Sequence, residues 1–163
     1  MTVRPARTGD GAALARVHAD LAAHYAELDP ERFRVPDMDG FAAWQDAELA
    51  DAGGDELDLV LEHEGEVVGS LYARLIRPPD GARWASPVDV TRPRLSIEYL
   101  AVLREHRRAG LGTALVEAAE AWGRERGAVV AETTTYHRGP VSVPFWTERA
   151  GYEPRSINFR KPL

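Results

Sequence analysis

The residues best suited to chemistry lie between Leu100 and Gly112. The apolar run Leu100-Ala101-Val102 gives way to a loop carrying Arg104, Arg107 and Arg108, and the loop leads through Gly110 and Gly112 into a helix-forming stretch. Glycines let the backbone come close to an anion. The free N–H groups at a helix start point at that anion, and the helix dipole favours its charge. Arginines add charge-assisted hydrogen bonds. Together these features suit the capture of a pyrophosphate. The loop is not a Walker A loop, which would need a Gly-Lys-Ser/Thr ending, and it is not a complete dinucleotide fingerprint. A second feature is Glu98, a carboxylate in an otherwise apolar stretch two residues before Leu100. Burying a charge without a partner is costly, and burial would raise its pKa toward the range of a useful base. The alternative is a strand-edge glutamate paired with Arg94 or Arg74.

The elements that must hold these residues can be read from spacing. Thr2 to Pro5 is a short strand. Thr8-Gly9-Asp10 offers capping side chains to a helix carrying Ala12, Leu14, Val17, Leu21 and Tyr25, which ends near Leu28-Asp29-Pro30. Asp39 could cap a second helix with Phe41, Trp44, Ala47 and Leu49, ended by Gly53-Gly54. Leu57 to Glu62 and Val67 to Ile76 read as strands joined by the turn His63-Glu64-Gly65-Glu66. Pro78 to Pro93 is a loop, and Leu95 to Val102 a central strand. Gly110 to Arg126 is an amphipathic helix with Leu111, Leu115, Ala118, Ala119 and Trp122 at helical spacing, stopped by Gly127. Ala128 to Thr135 is a strand, Phe145 to Arg149 a short helix, and Tyr152 to Arg160 a last strand. The order is that of an α/β fold, with a mixed sheet of about six to seven strands flanked by about four helices. The strand–helix–strand unit around Gly110–Arg126 is expected to be a right-handed crossover.

The 163 residues suit one domain with its own core. There is no cysteine, which excludes a disulfide framework, a zinc–cysteine site and a cysteine nucleophile. The five histidines show no metal-ligand spacing, so no metal is expected. No apolar run approaches the ~20 residues of a membrane span, and the start of the chain has no signal-like apolar region. The expected compartment is the cytoplasm. The net charge of −6 is unevenly spread: residues 1–90 hold 8 Arg against 18 acids, and residues 91–163 hold 11 Arg and 1 Lys against 8 acids. The acidic first half argues against nucleic acid as a partner and could draw in a cation. The basic second half could receive a compact polyanion.

At Arg107-x-x-Gly110-x-Gly112 the sequence resembles the Arg/Gln-x-x-Gly-x-Gly/Ala acetyl-CoA signature of the GNAT superfamily of N-acetyltransferases. Leu100-Ala101-Val102 is similar to that family's fourth strand, and Phe145 to Tyr152 to its aromatic-rich last helix and turn. Val3-Arg4-Pro5-Ala6 with Asp10 is similar to its opening. The resemblance is strongest over residues 95–152. It implies that backbone groups of Leu100, Ala101 and Val102 meet the pantetheine arm and the acetyl carbonyl. It implies further that the amides of Arg107, Arg108, Ala109, Gly110, Leu111, Gly112 and Thr113 hold the pyrophosphate of acetyl-CoA.

The reaction so implied is direct acetyl transfer to a primary amine of a small molecule or a peptide in a ternary complex. Such a transfer needs a proton acceptor for the ammonium, a fixed donor at the thioester carbonyl, and an outlet for the thiolate. Glu98 is the first candidate base and Glu132 the second. The family's tyrosine acid falls at Trp146, which cannot serve in the same way, and the spacing from Trp146 to Gly151 is one residue longer than the usual pattern. Tyr136, Ser142 and Tyr152 are the remaining acid candidates, with Ser142 also counted among the coenzyme-holding residues. Tyr25, Glu27, Asp29 and Phe33 border the acceptor pocket in this fold. A homodimer through sheet edges or the last strand is a family habit. A rival reading is a non-catalytic acyl-CoA-binding or sensing module on the same fold.

Overall fold

The computed structural model describes residues 1–162. Thr2–Pro5 forms β1, Gly11–Leu28 α1, Phe41–Asp51 α2, Glu56–His63 β2, Glu66–Ile76 β3, Arg94–Val102 β4, Leu111–Glu125 α3 and Val130–Thr133 β5. A last short helix, α4, makes one α turn at Ser142–Pro144 and widens into a π turn over Phe145–Arg149. The strand order is β1-β2-β3-β4-β5. The first four strands run antiparallel, and β4 and β5 run parallel across the α3 crossover.

The α/β class and the four helices match the sequence expectation, but the sheet among the described residues has five strands rather than six to seven. Tyr152 to Arg160 forms no strand. Pro154 lacks an N–H for a ladder, and the outermost strand it would join, β5, is only 4 residues long. The apolar side chains meant for that strand, Ile157 and Phe159, are 79% and 93% exposed. The preceding strand is also shorter than expected, because Ala128 is used by the helix before it. Its N–H donates to Gly123 O at 2.9 Å, after Gly127 has turned the chain at φ +86. This is the usual way a glycine closes a helix.

One face of the sheet packs on α3 through Leu59, Leu61, Leu71, Leu95 and Ile97 from the strands and Leu115 and Ala119 from the helix. The opposite face receives α1 with a smaller cluster of Leu14, Val60 and Val67. α1 is capped from outside its own segment. Asp10 accepts two hydrogen bonds from Arg4 at 2.7 and 2.9 Å, and a third from Arg7 N at 2.9 Å. The orphan N–H groups of Gly9 and Gly11 go instead to Asp46 of α2. Gly11 is a steric glycine, since a Cβ there would run into Ala42 O of α2. α2 itself starts from Gly40 at φ +76, not from a side-chain cap at Asp39. The β2–β3 hairpin turns at Glu64 and Gly65, both at positive φ, which suits the right-handed twist of the strands. Among the described residues no helix is long and apolar enough to cross a membrane.

Candidate active site

The sheet opens between β4 and β5. β5 pairs with β4 only from Arg94 to Ile97, while β4 runs on to Val102 with β3 alone. Glu98 is the extra residue of a bulge, since Tyr99 pairs with Tyr72 and Ile97 with Ala73. A bulge bends a strand and re-aims its side chains. Leu103 N donates to Val68 O at 2.8 Å. The alternation of an antiparallel ladder then turns Ala101 toward β3, and Leu100 and Val102 toward the open edge. Val102 O is taken by Arg107 Nε at 2.9 Å.

The loop after β4 turns a run of backbone donors to one side. Arg107 staples it, reaching Val102 O with one nitrogen and Asp20 of α1 with another at 3.0 Å. Arg107 therefore serves the loop with its side chain rather than a phosphate. Arg108 stands in the left-handed region at φ +68 and Gly110 at φ +77, so successive N–H groups turn to one side. From Arg108 through Ala109, Gly110, Leu111 and Gly112 to Thr113, no backbone N–H finds an acceptor among the described residues. Gly112 admits close packing, since a Cβ would sit 3.3 Å from the Phe145 ring. This donor set fits the diphosphate of coenzyme A. Ser142 opens α4, the helix whose Phe145 ring packs on Gly112. Its Oγ is buried against Gly139 with no hydrogen-bond partner.

Three of the four acceptor-side candidates, all from residues 25–33, converge on Tyr136 from a distant part of the chain. The rings of Tyr25 and Phe33 lie 5.0 Å apart, and Phe33 meets Tyr136 edge-on at 5.0 Å. Asp29 accepts the Tyr136 hydroxyl and an Arg32 nitrogen, which hold its carboxyl below the usual range, and the Asp29 carboxylate in turn pushes the Tyr136 phenol up. Tyr136 is thus committed to Asp29 and forms part of a wall. Glu27 turns elsewhere and pairs with Arg104 at 3.1 Å.

Two cavities share His18 and Tyr99. One, of about 360 Å³, lies beside Tyr25 and Phe33. The other, of about 310 Å³, lies under α2 beside Trp44, Asp58 and Tyr72. His18 stacks on Phe41 at 4.9 Å and on Tyr99 at 5.8 Å, and burial pushes its pKa down. Burial pushes the Asp58 carboxyl up to about 6, with Glu56 and Glu48 adding to the rise. These residues are not foreseen from the sequence, yet a signal was present. Asp58 interrupts Leu57-Asp58-Leu59-Val60-Leu61, the same pattern that singled out Glu98.

Glu98 itself is not buried; its side chain is 40% exposed, and it accepts bonds from Ser96 Oγ at 2.8 Å and Arg74 at 3.3 Å. The Arg74 partner is one the sequence reading allowed. Glu132 is held between Arg94 at 3.2 Å and Arg155 at 3.0 Å. Trp146 is a core residue, 7% exposed. Tyr152 packs on it at 5.0 Å and donates to Glu120 at 3.1 Å. The extra residue between Trp146 and Gly151 is absorbed by the π turn, where Ala150 N reaches Phe145 O at 2.9 Å.

Comparisons with known proteins bear on the family and the fold. The sequence model of the Acetyltransferase (GNAT) family matches residues 18–152. An acetyl transferase of Oryza sativa subsp. japonica, GW6a, is 36% identical over 101 residues, which is 62% of this chain but only 22% of that protein. The chain thus matches about a fifth of that relative's length. The solved structure of a tetramutant of the BH1408 protein from Bacillus halodurans superposes with a TM-score of 0.83 at 20% identity, over 100% of both chains. The aminoglycoside N-acetyltransferase AAC(6')-Iy in complex with CoA has a TM-score of 0.67 at 17% identity, over 99% of this chain and 100% of that one. These two likenesses concern the fold. With the family match covering most of the sequence, the chain belongs to the GNAT family of acetyltransferases.

Proposed function

We propose that the chain moves an acetyl group from acetyl-CoA directly to a primary amine within a ternary complex. The observation that carries this reading is the open β4 edge leading straight into the backbone donors from Arg108 to Thr113, which find no acceptor among the described residues. Bound there, acetyl-CoA supplies an activated thioester. The cradle amides and the helix start of α3 hold its diphosphate. The Leu100 and Val102 N–H groups face the arm and the carbonyl, and a fixed donor at that carbonyl stabilises the charge that develops on its oxygen. Glu98, on the bulge beside them, accepts the ammonium proton through water. The neutral amine then forms the C–N bond as the C–S bond breaks, with the electron pair leaving on sulfur. With Trp146 in the core, the new amide nitrogen loses its second proton to solvent, and the sulfur takes one proton from solvent. Glu132 is kept from the base role by its two arginines, and Tyr136 positions the acceptor wall.

The small-molecule amines of the aminoglycoside acetyltransferase support an acceptor of that kind. One observation favours the rival module without turnover, namely that the tyrosine acid is replaced by the buried Trp146. A thiol-release assay with acetyl-CoA and an amine panel separates the two. Turnover that drops roughly 100-fold in kcat in Glu98→Gln establishes transfer and the base. A coenzyme-dependent rise in melting temperature with no thiol release from any amine establishes the module.

A further inference from the structure

Asp58 differs from the other carboxylates on its side of the sheet. Glu98 has Arg74, Glu132 has Arg94 and Arg155, and Glu56 receives the Tyr72 hydroxyl and Gly53 N. The Asp58 carboxylate has no arginine, histidine or hydrogen-bond donor among the described residues, although it is half-buried. A charge kept in that condition is costly, and it is relieved by a cation that enters from outside.

The cavity around Asp58 fits such a cation. Its walls are aromatic, running from Trp44 to Phe41 at 5.4 Å, then to His18 and Tyr99. Ring faces attract an ammonium, more strongly where water is excluded. Glu48 and Glu56 at the rim add to the negative potential. Two further polar groups line the same cavity. Ser70 is only 4% exposed. The Tyr99 hydroxyl is shut off from solvent, with Ser70 against it but outside hydrogen-bond geometry.

The sheet also sets a length. Asp58 pairs with Tyr72, and Tyr72 with Tyr99, so the three form one row across β2, β3 and β4 on the same face. Two strand spacings separate Asp58 from β4, or about 10 Å. The β4 end of that row adjoins the open edge at Leu100. An acceptor with one amine at the edge therefore reaches Asp58 only with a second positive group about 10 Å away.

We propose that the acceptor is an aliphatic dication whose near amine is acetylated at the β4 opening while Asp58 holds its distal ammonium in the aromatic cavity. This rests on the transfer reading above; the near amine undergoes that same transfer, and the distal ammonium keeps its proton throughout. A cavity of about 310 Å³ takes a carbon chain rather than several linked rings.

The test pairs 1,8-diaminooctane with 1-aminooctane. Thiol release is measured with acetyl-CoA, and binding of each amine to the chain alone is measured by calorimetry. The diamine is expected to bind about tenfold tighter than the monoamine. In Asp58→Asn its KM and Kd rise about tenfold while kcat holds and the monoamine is unaffected, whereas Glu98→Gln lowers kcat for both. Trp44→Ala, a surface change that spares the carboxylate, weakens the diamine in the same direction. Equal affinity for the two amines, an unchanged diamine Kd in Asp58→Asn, or preference for a multi-ring aminoglycoside overturns the dication. If thiol is released from monoamines only, the dication falls and the transfer reading stands. If the diamine binds in an Asp58-dependent way and no amine releases thiol, the cation site stands and the transfer reading falls.

Discussion

Asp58→Asn is expected to make the chain more stable at neutral pH. Burial lifts the Asp58 pKa from 3.8 to about 6. A raised pKa means that the folded chain holds the proton more tightly than the unfolded one. Stability is therefore full below about pH 4, declines as pH rises toward 6, and stays at the lower level above. Two pKa units correspond to about 3 kcal/mol. Asp58 opens on a cavity that water can enter, so screening brings this to about 1–2 kcal/mol. Asparagine has the shape of the protonated acid without the charge, so the variant escapes the loss. In urea melts the gain of about 1–2 kcal/mol appears at pH 8, as a few degrees in melting temperature for a chain of this size. His18, Tyr72, Glu48 and Glu56 face the same cavity in both proteins, so the comparison removes one carboxylate from an otherwise unchanged lining. At pH 4 the two curves should coincide. A variant no more stable than the parent at pH 8, or a gain that persists at pH 4, would refute the reasoning. A gain there also means that the fold gives up stability to keep a carboxylate where a ligand needs it.

Gly11→Ala forces α1 away from Ala42 of α2 and should cost about 3 kcal/mol, read as a lower urea midpoint with unchanged slope; a neutral result would mean the two helices do not sit this close. Arg107→Ala frees the cradle from both β4 and α1, and calorimetry with CoA should show affinity falling about tenfold while the melting temperature changes little. Arg4 holds the Asp10 carboxyl below its ordinary value. Its contribution is present at neutral pH and lost as pH falls through the depressed pKa. Asp10→Asn should therefore lower the melting temperature at pH 7 and have little effect near pH 2. An equal loss at both values would assign the effect to packing instead.

Where the information was local, the sequence was readable. Leu111, Leu115 and Ala119 repeat at helical spacing and do bury against the sheet, and Glu64-Gly65 does turn the hairpin. The run of free amides after Arg107 could be located because its residues are consecutive. What escaped was set by distant partners. α1 takes its cap from Asp46, 35 residues away from Gly11, which no local pattern contains. Tyr136 finds Asp29 across 107 residues, which turned a candidate acid into part of a wall. The last strand failed for want of an edge to join, which alternation of Ile157 and Phe159 cannot reveal. Glu98 and Asp58 share the same sequence signal, and only the fold shows that Glu98 is exposed with Arg74 and Ser96 as donors while Asp58 is half-buried without one.

The π turn at Phe145–Arg149 can be seen as a length buffer. One residue more than an α turn requires has been taken up as width instead of being passed along the chain. Trp146 stays in the core and Tyr152 N still reaches Trp146 O at 2.8 Å. A chain shorter by one residue in this turn could tighten it to ordinary α-helix and leave the neighbours in place. The segment that closes the core is therefore a place where this fold can gain or lose a residue without a change of register.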